Sequence, residues 1–233
     1  MAEKLKIGSL EPQRLPSVTD LVYEHLYNQV VGLELPPGAK LSEVEVARQL
    51  GVSRQPVRDA FYRLSQQGFL LIRPQRATLV THISEEAVMQ AHFIRTALEM
   101  ATVQAAADAI SADDGEALDQ LLEEQKLALA AGDKLRFHEL DDNFHKLISE
   151  ISGHGYAWSL IRDHKAHMDR VRYLSLSFGA QAAIDEHAFI VSAIKAGNGT
   201  AAVEAMRDHL SRIGTIVERI HLSHPAFFEM DEK

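Results

Sequence analysis

Apolar residues at Leu21, Val22, Leu26, Tyr27, Val30 and Leu33 recur at helical spacing, so residues 18 to 33 read as one amphipathic helix stopped by Pro36, Pro37 and Gly38. Ser42 followed by Glu45 has the spacing of a capping box and opens a short helix to Leu50, which Gly51 ends. Ser53 caps a second helix to about Gln67, stopped by Gly68. This helix sends Val57, Ala60, Phe61 and Leu64 inward and leaves Arg54, Gln55, Arg58 and Asp59 outward near its start. Phe69 to Arg73 and Thr78 to Thr81 then read as two short strands around the loop PQRA. Helix, turn, helix and hairpin in that order outline a winged helix-turn-helix.

After His82 the strand pattern stops. Helical periodicity predicts six helices, over 85–110, 113–131, 134–151, 156–177, 181–196 and 200–221, with breaks at Gly132-Asp133, Ser152-Gly153, Phe178-Gly179 and Gly197-Asn198-Gly199. The predicted fold is therefore mainly α: an N-terminal winged helix-turn-helix with a small β-hairpin, then an all-α bundle of about six helices. The division along the chain is a polar, mobile tail at 1–16, a first domain at 17–82, a helical domain at 83–223 and a frayed tail at 224–233.

Composition changes this picture in one respect. The net charge of -9 argues against contact with nucleic acid until it is divided along the chain. Residues 1–80 carry 10 Lys and Arg against 8 Asp and Glu, whereas residues 81–233 carry 14 against 25. The first module can approach phosphates and the second is repelled by them. The absence of cysteine excludes disulfides and thiolate metal sites. No apolar run approaches the roughly 18 to 20 residues of a membrane helix, and the polar start lacks the apolar core of a signal peptide, so a soluble cytoplasmic protein is expected.

Two sets of residues carry candidate chemistry. The outward start of the 53–67 helix is the end that enters a major groove, where Arg bonds guanine and Gln reads adenine. Pro56 is tolerated there because amides of the first turn need no helical acceptor. The other set lies in the helical domain. Asp141 and His145 sit about 40° apart on the face that carries Phe137, Phe144 and Ile148. His187 is centred among Ile184, Ile190, Val191 and Ile194, and His209 borders Met206, Ile213, Ile216 and Ile220. Ionisable groups on such faces need a partner. Three neutral imidazoles and a carboxylate suit a divalent ion, and the alternative is a His–Asp bond with the other histidines simply packed in the core. Arg95 is likewise centred on an apolar face, either pairing with Glu99 one turn on or forming a fork for the carboxylate of a small acid. Arg172 and His164, on the inward side of the 156–177 helix, are candidates for the same pocket.

The stretch LSEVEVARQLGVSRQPVRDAFYRLSQQG resembles the DNA-binding signature of the GntR family of bacterial transcription regulators, and residues 18–82 are similar to that domain as a whole. Residues 88–215 resemble the helical effector domain called FCD of the FadR subfamily, through RTALE at 95–99, DDNFH at 141–145, Glu186-His187 and His209-Leu210. The resemblance implies Ser53, Arg54, Gln55 and Arg58 as phosphate and base contacts, with Arg76 at the wing tip. It implies Asp141, His145, His187 and His209 as ligands of one divalent ion per chain, Zn, Ni or Mn. It also implies a homodimer on a palindromic double-stranded operator, acting as a repressor relieved by a small carboxylate. Two positions depart from the family: Gln55 replaces the usual Thr, and Ala77 stands where the wing usually has Gly, which questions a tip with positive φ. The rival readings are a purely structural ion and a metal-dependent hydrolase.

Overall fold

Ser17 opens the first helix with a reciprocal capping box. Its hydroxyl accepts the Asp20 amide at 3.1 Å, and the Asp20 carboxylate accepts the Ser17 amide at 3.1 Å. The structure is a computed structural model that describes residues 16–73 and 77–229. Helix α1 (Val18–Val31) buries Val22, Tyr23, Leu26, Val30 and Val31 and leaves Leu21 exposed. It ends two residues before the periodicity predicts, because Leu33 takes a left-handed φ of 63° that turns the chain out of the helix.

Helix α2 (Glu43–Leu50) and helix α3 (Arg54–Gln66) meet across Gly51, whose φ of 66° is the left-handed turn for which glycine is suited. The predicted capping box at Ser42 does not form. Glu45 turns instead to Arg48, at 2.5 Å, and to Gln49, at 2.7 Å. Strands β1 (Lys40–Leu41), β2 (Leu70–Leu71) and β3 (Thr78–Val80) make an antiparallel sheet in the order β1-β3-β2, so the hairpin gains a third strand from the segment before α2. Its register pairs Leu41 with Thr78 and Leu70 with Val80. Two-residue β1 is too short for any alternation to announce it. Ala77 is exposed and does not adopt the positive φ in question, Leu33 being the only non-glycine that does among the described residues. Arg76 and the tail at 1–15 lie outside the described residues.

Six helices and the continuation of the last form the second domain: α4 (Glu85–Ala109), α5 (Ala112–Ala131), α6 (Lys134–Ile151), α7 (Tyr156–Arg162), α8 (Ala166–Lys195) and α9 (Gly199–Ser211), which α10 (Ile213–Ser223) extends beyond Arg212. The boundary predicted at Phe178-Gly179 is a correction. Gly179 lies inside α8, and the break falls at 163–165 instead. An interior glycine costs only about 1 kcal/mol relative to alanine. Met168 and Val171 on one side of it, and Ile184, Ile190 and Ile194 on the other, are buried in separate parts of the core and hold the helix together.

The C-terminal tail is a second correction. Ile83 donates its amide to Phe227 O at 2.8 Å and accepts that of Glu229 at 3.0 Å, and Phe228 is buried, so residues 225–228 are docked on the linker between the domains. Burial of an aromatic ring outweighs fraying at the chain end. The junction is also held by buried Arg170, whose guanidinium donates to Thr81 O, and by His167, whose Nδ1 accepts the Ser84 amide at 3.1 Å.

Candidate functional site

Helix α4 brings Arg95 and Glu99, α6 brings Asp141 and His145, α8 brings Arg172 and His187, and α9 brings His209 to one region of the helical domain. Asp141, His145 and His187 are buried on the apolar faces where helical periodicity puts them, and His209 is half-buried. His145, His187 and His209 each offer a ligand atom within 4.8 Å of the other two. Their rings are 5.4, 5.3 and 4.7 Å apart, centroid to centroid.

Each imidazole is oriented from behind. Gln125 Nε2 donates to Leu140 O at 3.3 Å, which points its carbonyl oxygen at His187 Nδ1, 2.9 Å away. An acceptor there assigns the proton to Nδ1 and leaves a lone pair on Nε2. Glu186 Oε2 does the same for His209 Nδ1 at 2.9 Å. Glu99 Oε2 stands 2.5 Å from His145 Nδ1, at an angle that falls short of a regular hydrogen bond. The Nε2 atoms of His145 and His187 are buried with no hydrogen-bond partner among the described residues. Such an orphaned atom costs about 1–3 kcal/mol, so the donor set fits a cation that accepts imidazole nitrogen. Burial pushes His187 well below its ordinary value and His209 down to about 4. Both rings are neutral near pH 7, the form that coordinates. Asp141 stands beside this cluster, with Oδ1 3.6 Å from His187 Nε2 and Oδ2 against the Arg172 guanidinium.

The cluster borders a cavity of about 330 Å³ whose wall includes Arg95, Asp141, Arg172, Glu186 and His209. Arg95 donates through Nε to Glu99 Oε1 at 2.5 Å, both side chains being buried, while its Nη2 has no partner among the described residues. Burial alone would raise the Glu99 carboxyl. Arg95 and His145 outweigh it and hold that group well below the usual carboxylate range. The ion pair anticipated as one reading of Arg95 is therefore present, on the wall of the cavity that the other reading requires. His164 is a correction: it is exposed in the turn between α7 and α8 and faces a groove between the two domains. The helix that was to carry it inward ends at Arg162. His138, one turn before Asp141 on α6, belongs to a separate group with Asp142 and Asp169. The orienting residues Gln125 and Glu186 carried no periodic signal as ligand holders, although Glu186 adjoins His187 in the sequence motif.

In the first domain, Ser53 is the N-cap of α3 without a side-chain capping bond, and Arg54, Gln55 and Arg58 project from the exposed first turns. Glu43 on α2 gathers both guanidinia, at 3.5 Å from Arg54 and 3.3 Å from Arg58, and Gln55 donates to Asp59 at 2.8 Å. These contacts are solvent-exposed and worth little, so they orient the side chains at small cost to exchanging them for phosphate or base. No helix among the described residues is long and apolar enough to cross a membrane.

Comparison with known proteins agrees with both halves. Residues 11–80 match the family described as bacterial regulatory proteins, gntR family, and residues 90–212 match the FCD domain. The chain is 37% identical over 224 residues to the HTH-type transcriptional repressor RspR of Escherichia coli, covering 94% of this chain and 98% of that protein. It is 35% identical over 213 residues to an HTH-type transcriptional regulator in an unstable DNA locus of Streptomyces ambofaciens, covering 90% and 89%. Among solved structures, Escherichia coli McbR/YncC superposes with a TM-score of 0.76 at 23% identity, over 88% of this chain and 99% of that one, a likeness of fold.

Proposed function

Because the chain belongs to the GntR family of bacterial transcription regulators, with an FCD domain behind its DNA-binding domain, we propose that it is a metal-dependent repressor whose grip on DNA is relieved by a small carboxylate. It is a transcription regulator, not an enzyme, and the hydrolase reading is set aside. The observation that carries the proposal is the pair of buried, unpartnered Nε2 atoms of His145 and His187 beside His209, at the wall of a cavity that also holds Arg95 and Arg172. His145, His187 and His209, with Asp141 as fourth donor, would hold one divalent ion per chain, Zn, Ni or Mn. When bound, the ion supplies a positive centre for an anionic ligand. Arg95, through its free Nη2, and Arg172 orient the carboxylate of the effector. A palindromic operator calls for a two-fold protein, so the working form is a homodimer. The repressor named among the relatives supports that sign of regulation.

Elemental analysis tests the metal. Wild type is expected to hold about one divalent ion per chain, and His187→Ala to lose it, as the removal of one of four ligands implies. Equal metal content in the two proteins would exclude His187 as a ligand. A thermal melt of the loaded protein across a panel of metabolite acids tests the effector, since a ligand of the folded state raises the midpoint.

Ser53, Arg54, Gln55 and Arg58, with Arg76 in the wing, are the proposed DNA contacts. Arg54→Ala and Arg58→Ala are each expected to weaken specific binding by about 1–3 kcal/mol, the worth of a bidentate or charge-assisted contact. Gel-shift titration at fixed salt, on fragments selected from random genomic DNA, is the measurement. Unchanged affinity in both variants would remove α3 from the groove.

A further inference from the structure

Beyond the histidine cluster, a second set of ionisable groups is buried where the domains meet. His138, Asp142 and Asp169 converge there, and the Lys165 ammonium lies between the two carboxylates, 2.6 Å from Asp142 Oδ2 and 2.7 Å from Asp169 Oδ1. The other oxygen of Asp169 accepts the hydroxyl of Tyr27 at 3.2 Å, and Tyr27 belongs to α1 of the DNA-binding domain. On the opposite side, Arg172 Nη1 reaches Asp142 Oδ1 at 3.0 Å and Asp169 Oδ1 at 3.4 Å. Its Nη2 lies against Asp141 Oδ2, and Asp141 Oδ1 is 3.6 Å from His187 Nε2. Polar contacts thus run from Asp141, beside the histidine cluster, through Arg172 and Asp169 to Tyr27 on α1.

We propose that Arg172, Lys165, Asp169 and Tyr27 are positioning residues through which occupancy of the histidine centre sets how α1 is held against the helical domain. This rests on the metal reading above. Asp141 faces His187 through Oδ1 and Arg172 through Oδ2, so its recruitment as a ligand through Oδ1 draws its negative charge toward the ion and weakens its hold on Arg172. Arg172 then turns to the anions that remain within its reach, Asp142 and Asp169, where it competes with Lys165. A change in the pairing of Asp169 changes the acceptor offered to Tyr27. Inside a protein such networks answer as units, because low dielectric makes each unpaired charge expensive. Tyr27 is suited to pass the change on. Its ring meets Phe69 edge-on at 5.3 Å within the core that also contains Val57, Phe61 and Leu64 of α3. Tyr23, one turn earlier, gives the control: its ring stacks on that of Tyr27 with centroids 6.0 Å apart, but its hydroxyl donates to Gln67 at 2.6 Å, inside the DNA-binding domain, so removing that hydroxyl leaves the Tyr27–Asp169 bond in place.

The test compares metal-stripped and Zn2+-loaded full-length protein by hydrogen exchange of the α1 amides, with zinc content measured on the same samples, for wild type, Tyr27→Phe and Tyr23→Phe. In wild type and Tyr23→Phe, loading is expected to change α1 exchange about fivefold or more, the low end of coupling between sites. Tyr27→Phe should bind the same zinc and lose the change, a separation that a merely structural hydroxyl would not produce. Loaded wild type with unaltered α1 exchange, or Tyr27→Phe responding like wild type, overturns the relay while leaving the metal site standing. Failure of wild type to retain zinc overturns the metal reading and this inference with it.

Discussion

Lys165→Met is expected to lower the stability of the folded protein by about 3–5 kcal/mol, the cost of removing one partner from a buried ion pair. The ammonium is fully buried between Asp142 and Asp169, and both carboxylates rely on it. Methionine keeps most of the stem volume, so little of the loss is packing. What it removes is the cation, leaving the buried Asp169 and the half-buried Asp142 facing each other with only Arg172 in reach of both. Denaturant unfolding of wild type and variant gives the figure. A difference under about 1 kcal/mol, the range of exposed pairs, would mean that Arg172 alone neutralises the group and that Lys165 is dispensable.

Arg95→Met joins stability to ligand response. Sequence left two readings of this residue open, and the structure keeps both, because one face of the guanidinium pairs with Glu99 while Nη2 is free at the cavity wall. The variant is therefore expected to lose about 3 kcal/mol of stability, Glu99 being left buried with only His145 beside it. Because Glu99 orients His145, metal affinity should also fall roughly tenfold or more, as for other groups behind metal-bound histidines. The acid-induced rise in melting midpoint should disappear. A melt with and without the acid, beside a zinc titration, reads all three effects. A preserved acid shift on a lowered baseline would make Arg95 a structural partner of Glu99 and no anchor for the effector.

Much of the molecule was legible from local pattern. Helical periodicity placed the turn between α2 and α3 and chose the inward side of α3, because one face of a helix must be apolar to be buried. Ionisable residues at the centre of apolar stripes singled out Arg95, Asp141, His145 and His187, since burial on a helix follows from spacing alone. Boundaries were less legible. Gly179 and Leu33 show why: a glycine does not end a helix that is packed on both sides, and a left-handed residue ends one that periodicity would continue.

What only the tertiary structure decided is which buried groups face one another. Tyr27 and Asp169 are 142 residues apart, and His187 and Gln125 are 62 apart; no window on the sequence contains either pair. Lys165 stands at a break that the pattern put elsewhere, so nothing local marked it for burial. The sequence thus determined which side chains would leave water, because that depends on a helix's own period. Their partners, and with them the tautomers at the histidine centre and the contact between domains, were decided by how α1, α4, α5, α6, α8 and α9 pack, because a buried charge is neutralised by whatever the fold brings within about 4 Å.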